Sequence, residues 1–305
     1  MNLKKSLLSI ACAAGCLIFA ASAFALPPKD GQLVKLDAEQ LWHLSYLANL
    51  PVQNPIRISE KFTRPSIAPD GKHVVLFERG LPGEPNILHE WSEDTGKIKE
   101  RIRSYEVSDF ISWDDNQNFS VRDREKPFFK DGAKLRFDRS PKELKLQERK
   151  PLTDSDYVVY DQDDVIILES KKTQTLQAIS DPAMGRYFAP ILSPDEKFVV
   201  YSSLSSGIFL FDIEANAVVY IGAHGSVPTF SPDGRYLIYA NTSDNGHDYT
   251  RGDLIMLDLQ LRSYRVIANP KSEIRLSATL SKDAREIAYE TADGKIYRGK
   301  LLGNE

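Results

Sequence analysis

Short apolar runs of four to six residues recur along this chain, and polar turns separate them. Residues 74–77, 198–201 and 236–239 are rich in β-branched and aromatic side chains, which favours buried strands. Each run follows a Pro-Asp dipeptide, in which Pro fixes φ for a tight turn and Asp can hydrogen-bond to nearby backbone amides. The pattern therefore predicts strands joined by tight corners.

One segment of the sequence returns several times. Residues 64–77 are repeated as 189–201 and 227–239, and in eroded form as 277–289. An Ile/Leu-rich run and a fourth apolar run follow within each unit, as in residues 207–212 and 217–221. Four short strands in a unit of about 40 residues are typical of a propeller blade. We predict an all-β fold with four-stranded antiparallel blades.

The number of units follows from the aspartates at the corners. Two of the corners, at Asp115 and Asp154, are degenerate, and the full set indicates a six-bladed β-propeller over residues 56–305. The corner aspartates are Asp70, Asp115, Asp154, Asp195, Asp233 and Asp283. Residues 295–302 predict a third strand with no fourth strand after it. We expect residues 56–59, ahead of the first unit, to supply that fourth strand.

A helix is predicted in the segment that precedes the propeller. Asp37 can cap residues 37–50, leucines recur at every third position from Leu41 to Leu50, and Pro51 stops the pattern. We interpret residues 26–55 as an N-terminal strap that carries this short helix against the first blade. A partner-binding helix is the alternative.

The repeats resemble the WD-like propeller repeats of TolB, the periplasmic component of the Tol system. They are also similar to the propellers of the prolyl oligopeptidase family. The resemblance covers roughly residues 36–302, and it implies the fold and a place in the cell envelope. Residues 26–63 are too few for the α/β domain of TolB, and the peptidase hydrolase domain has no counterpart here. No Gly-x-Ser-x-Gly nucleophile elbow is present in the sequence either.

The first 25 residues predict a signal peptide. Lys4 and Lys5 precede an apolar stretch, and Ala23-Phe24-Ala25 offers a small-x-small cleavage site. We expect export to the periplasm; secretion, an uncleaved anchor, or lipid attachment at Cys16 are the alternatives. Both cysteines lie in this segment, so the exported protein would have no disulfide. The mildly acidic net charge of −4 argues against a nucleic-acid partner.

Residues with catalytic or metal-binding chemistry are sparse. The five histidines do not pair at metal-ligand spacing, and no glycine-rich phosphate loop is present, so we predict no catalytic residue, metal or cofactor. The polar insertion at residues 241–252 is the strongest local irregularity, with a solvated loop as its simplest interpretation. Because its blade position places it beside the connections between blades, we expect one loop-rich face there. The candidate partner-binding residues on that face are Arg64, Arg79, His224, Ser226, Asp244, His247, Asp248, Arg251 and Arg275.

Two classes of function remain open from the sequence. The first is an exported, non-catalytic scaffold that binds an envelope protein or peptide, with no integral membrane span. The second is a propeller that binds or cleaves a glycan or glycopeptide, in which Asp244, His247 and Asp248 would act as ligand or acid/base groups. A pair of carboxylates roughly 5–10 Å apart across the central funnel would favour the second.

Overall fold

The computed structural model describes residues 40–105, 107–109, 111–113, 118–122, 134–138, 155–269 and 271–303. The predicted signal peptide, Cys12 and Cys16, residues 26–39 and the corners at Asp115 and Asp154 lie outside these ranges. The strands are β1 Ser45–Tyr46, β2 Leu50–Ser59, β3 Thr63–Ile67, β4 His73–Glu78, β5 Asn86–Ser92, β6 Lys97–Ser104, β7 Ile111–Trp113, β8 Asn118–Arg122, β9 Lys134–Asp138, β10 Tyr157–Gln162, β11 Val165–Ser170, β12 Thr175–Ala178, β13 Tyr187–Leu192, β14 Phe198–Ser203, β15 Gly207–Asp212, β16 Ala217–Gly222, β17 Gly225–Phe230, β18 Tyr236–Asp244, β19 Tyr249–Asp258, β20 Ser263–Ala268, β21 Arg275–Leu280, β22 Glu286–Thr291 and β23 Ile296–Leu301.

The strands pair with their neighbours in sequence to form separate antiparallel units. β3–β6, β13–β16 and β17–β20 are four-stranded, whereas β7–β9 and β10–β12 contribute three described strands each. Within the part of the chain that the structure describes, the only helix is a single 3-10 turn at Pro182–Met184. The predicted all-β fold with four-stranded antiparallel units is therefore confirmed.

The tight corners explain why the sequence repeats. At Ser231 the hydroxyl donates to Asp233 (2.6 Å) and accepts the amide of Tyr236 (2.9 Å), while the Asp233 carboxylate accepts the amide of Arg235 (3.1 Å). The corners that begin at Ser193 and Ser281 have the same bonds. The residue after each aspartate has a positive φ, which is why Gly stands there in two of the four corners (71 and 234). The repeat encodes a hydrogen-bonded corner.

The units stack side by side, with the core lying between consecutive sheets. Each of the five hydrophobic clusters among the described residues joins two neighbouring units, as where Ile67 of β3 packs with Ala288 of β22. The last unit therefore contacts the first, and the amide of Ile67 donates to Thr279 Oγ1 (3.0 Å) across this contact. Sheets stacked in sequence, with the last one on the first, form a β-propeller.

The ring is closed by the strand that the sequence predicted. β2 pairs in antiparallel fashion with β23 and so completes the last unit, with Ile56 opposite Arg298 and Arg57 opposite Tyr297. The pairing extends to Val52 opposite Leu301, so the predicted boundary between residues 55 and 56 falls inside a single strand. Closure by a strand from the other end of the chain removes an exposed sheet edge.

The predicted helix at 37–50 is wrong for residues 40–50, which contain no helix and contribute β1 and the first residue of β2. Trp42 donates its amide to the carbonyl of Val219 on β16, and β1 pairs in parallel with β20. The leucines with helical spacing are used differently: Leu44 packs against the core, and Leu50 is buried at 1% exposure. The segment is a strap across the outer strands of three consecutive units, and its backbone hydrogen bonds outweigh a marginal helix propensity.

Candidate functional site

The two ends of the sheets differ, and each is named here by the residues that form it. The corner face carries the four tight corners at 68–73, 193–198, 231–236 and 281–286. The hairpin face carries the second-to-third strand connections at 79–85, 204–206 and 245–248, together with the connections between units. The chain direction of each strand places all nine candidate residues toward the hairpin face.

The insertion at 241–252 is an ordered β-hairpin. β18 and β19 remain paired beyond their blade, through Thr242 opposite Gly252 and Ser243 opposite Arg251, as far as Asp244 opposite Tyr249. The turn has its own hydrogen bonds, because Asn245 Oδ1 accepts the amides of His247 (3.0 Å) and Asp248 (2.8 Å). The insertion therefore projects from the hairpin face as a structured arm.

The candidate acids of the arm lie on one turn. Asp244 Oδ1 accepts the amide of Gly246 (2.9 Å), and the side chains of Asp244, His247 and Asp248 are all exposed. Arg251 Nε pairs with Asp253 at 2.5 Å, also at the surface. Asp244 and Asp248 thus stand together on one hairpin and do not face each other across a channel.

Two further candidates lie at the base of this arm. His224 is exposed and has a positive φ of 63°, and its carbonyl accepts the amide of Thr242 (3.2 Å). The Ser226 hydroxyl donates to the carbonyl of Ala240 (3.4 Å) and lies 3.5 Å from Thr242 Oγ1. The structure brings both residues together with the hairpin arm.

Arg275 does not contribute to an exposed face. Its side chain is buried at 2% exposure, its Nη1 donates to the carbonyl of Ala268 (3.0 Å), and its guanidinium lies 4.6 Å from the ring centre of Tyr289. The backbone of the arm passes close to the backbone of Arg275 at Gly252. A side chain at this position would place its Cβ 2.5 Å from the carbonyl oxygen of Arg275, so glycine allows the close approach. Arg275 is therefore part of the packing beneath the arm.

The remaining two candidates belong to the first unit. Arg64 Nε lies 3.4 Å from Asp109 Oδ2, and the Arg64 amide donates to Glu290 Oε2 (3.0 Å) on the neighbouring unit. Arg79 is exposed, and its side chain has no ion pair or hydrogen bond with any residue that the structure describes. Among the described residues, no hydrogen bond or ion pair joins either arginine to the hairpin arm.

Exposed apolar side chains are the feature of the hairpin face that sequence reasoning missed. Tyr249 lies at the arm, Leu204 on the β14–β15 connection and Leu81 on the β4–β5 connection, with 47%, 71% and 69% exposure. Tyr105 and Phe188 add two more, and the Tyr105 hydroxyl donates to the carbonyl of Gly83 (2.8 Å). The sequence signal that could have identified these residues is a large apolar residue within an otherwise polar connection.

Metal and membrane features complete the description of the site. No group of three or more metal-ligating side chains occurs among the described residues. Likewise, no helix in the described ranges has both the length and the apolar character needed to cross a membrane.

Comparison with known proteins yields similarity at the level of fold. No protein-family model matches the chain, and no curated protein matches it. Among solved structures, the chain is similar to the crystal structure of the C-terminal WD40 domain of Sif2, with 12% identity over 78% of this chain and 69% of that chain. The TM-score is 0.33, so the assignment of a β-propeller rests on the strand pairing and the closure of the ring.

Proposed function

We propose that this chain is an exported, non-catalytic β-propeller that binds a protein or peptide in the cell envelope through its hairpin face. In this proposal the propeller has six blades, with β7–β9 as the second and β10–β12 as the third. Its role is TolB-like in the general sense of a periplasmic binding scaffold.

The observation that carries the proposal is the exposure of large apolar side chains at one end of the propeller. Of the ten exposed large apolar residues in the described ranges, five lie toward the hairpin face: Leu81, Tyr105 and Leu204 on its connections, and Phe188 and Tyr249 at the first residues of β13 and β19. Exposed apolar groups collected on one surface mark interaction sites, and tyrosine and arginine are enriched at binding hot spots. Exposed Arg79 and Arg251 supply the polar rim.

Export is supported by the sequence of residues 1–25 alone. Mass spectrometry of the protein recovered from the periplasm tests it: cleavage after Ala25 gives a mature chain that begins at Leu26. A lipidated Cys16 would identify an anchored protein, and an intact N-terminus would contradict cleavage.

The binding face is tested by affinity capture from an envelope extract. We expect the triple variant Leu81→Ser, Leu204→Ser and Tyr249→Ser to recover at least about tenfold less partner than the wild type, since each removes a potential anchor worth about 1–2 kcal/mol. The matched control is Ile56→Ser with Leu302→Ser, which removes exposed apolar side chains away from the hairpin face. Equal capture by all three proteins, or no specific partner for the wild type, would contradict the proposal.

A further inference from the structure

A cavity of about 630 Å³ opens on the corner face, at the end opposite the hairpin arm. This volume lies in the range of known ligand sites. Its walls are the corners of three successive units of the ring, at residues 233–236, 282–285 and 69–70, with Leu47 of the strap at its side. We call this cavity the corner cleft.

The carboxylates of the corner cleft are already engaged by the protein itself. Asp258 accepts two hydrogen bonds from Arg235, at 2.8 and 3.2 Å, as well as the amides of residues 260 and 261. Asp233 and Asp283 accept the serine hydroxyls and backbone amides of their corners. Asp70 accepts the amide of Lys72. Three of the four carboxylates are thus held by bonds within their own corners and turns, whereas Asp70 accepts a single amide and remains exposed.

Two of the cations that line the cleft have no such partner. The side chains of Arg265 and Lys282 form no ion pair or hydrogen bond with any described residue, whereas Arg235 is paired with Asp258 and stacks on Tyr236 at 4.9 Å. Arg265 and Lys282 are therefore the two cations of the lining that remain available to a ligand.

Lys282 also departs from the repeat. The corners at residues 69, 194 and 232 have Pro in this position, and only the corner of the last unit has Lys. The fold does not require a lysine here, because the same corner forms elsewhere without one. The buried Ser263, at 3% exposure, lines the same cleft, and its hydroxyl has no hydrogen-bond partner among the described residues.

The rest of the lining is apolar. Met256 and Tyr236 are buried in the wall, while Leu261 and Leu47 remain 63% and 39% exposed. A ligand that matches this arrangement combines a carboxylate, for Arg265 and Lys282, with an adjacent aliphatic group for the leucines. Charge-assisted hydrogen bonds would fix the carboxylate, and burial of the aliphatic group would add affinity.

We propose that the corner cleft is a second binding site, which takes a peptide carboxylate next to an aliphatic side chain. The carboxylate is that of an acidic residue or of a free C-terminus, since both offer the same two oxygens. This site is independent of the hairpin face and of the partner proposed for it.

Fluorescence polarisation with three labelled peptides and the full-length protein tests the proposal. The first peptide contains Asp-Leu and an amidated C-terminus, the second replaces Asp by Asn, and the third ends on Ser-Leu with a free carboxylate. We expect the first or the third to bind and the second not to. The double variant Arg265→Gln and Lys282→Gln lowers the affinity about tenfold or more, since it removes both charged partners of the carboxylate.

The controls separate this site from the general charge of the protein and from the hairpin face. Lys197→Gln removes one charge from another corner and is expected to bind within about twofold of the wild type. The hairpin-face triple variant keeps full peptide affinity. Binding of the Asp-Leu peptide alone identifies an acidic side chain as the ligand, and binding of the free C-terminus alone identifies a chain end. Equal binding of the Asn peptide, undiminished binding by the double variant, or binding of none of the peptides overturns the proposal.

Discussion

The corner face and the hairpin face are built from opposite ends of the same strands, yet they differ in what their residues do. At the corners, buried serines form the same hydrogen bonds with the corner aspartates in three units. At the hairpin face, the connections differ in length, and the β18–β19 arm continues past its blade. The connections of the hairpin face vary in length because the fold does not require one fixed turn there. That end of the propeller can therefore carry a binding surface.

The largest effect on stability is expected near the corner face, at Arg298, which joins the last unit to the first. Arg298 is 5% exposed, and it donates to the carbonyl of Gly71 (3.0 Å) and to Glu93 (2.9 Å), with Glu286 at 3.2 Å. Burial raises the pKa of Glu286 despite the nearby Arg298. We expect Arg298→Met to lower the free energy of unfolding by about 3–5 kcal/mol, because it leaves the partly buried carboxylate of Glu286 with only the more distant Lys300 (3.9 Å) and removes the donor to the carbonyl of Gly71.

Urea denaturation measures this loss, and Arg285→Met is the matched control. The Arg285 side chain is 64% exposed and its pair with Asp283 is long, at 3.7 Å, so we expect a change below about 1 kcal/mol. Equal losses in the two variants would show that closure of the ring does not depend on the buried arginine.

An intermediate effect on stability is expected when a serine of the corner face, Ser231, is compared with a serine of the hairpin face, Ser226. Ser231→Ala removes a fully buried hydroxyl that bonds to Asp233 and to the amide of Tyr236, so we expect a loss of about 1–3 kcal/mol. Ser226→Ala, at the base of the arm, removes only bonds of 3.4–3.5 Å and should change stability by less than about 0.5 kcal/mol. Thermal unfolding of both variants decides the matter. A larger loss at Ser226 would reverse the comparison.

An effect confined to alkaline pH, and absent near neutral pH, concerns ionisation beneath the hairpin face, at the first residue of β13. Burial, with a contribution from the charge of Asp181, raises the pKa of Tyr187 to about 12. Between pH 10 and 12 the folded protein then holds a proton that the unfolded chain releases. Stability therefore falls as the pH rises, by about 1.4 kcal/mol per pH unit for this tyrosine.

The measurement is urea denaturation at several pH values in that interval. Tyr187→Phe should reduce the slope by this amount, whereas Phe188→Leu, which alters the neighbouring side chain and removes no ionisable group, is expected to keep the wild-type slope. An unchanged slope in Tyr187→Phe would mean that this hydroxyl ionises equally in both states.

The candidate site was predicted in part. His224, Ser226 and the residues of the arm do share one face, because their places in the repeat set the end of the sheet to which they belong. Arg275 holds an equivalent place but is buried, since the arm packs over it through Gly252. The corner cleft could not be anticipated, because its lining comes from residues such as Leu47, Lys282 and Asp70 that are far apart in the chain.

The sequence by itself determined the corners, the strands that follow them and the origin of the closing strand. These depend on local hydrogen bonds and on the number of strands in each unit, which a repeat displays directly. Only the tertiary structure decided the path of residues 40–50, the burial of Arg275 and the location of the cleft. Each of these depends on which blade lies beside which, and a leucine pattern that suits a helix serves equally well to fill the gaps between neighbouring sheets.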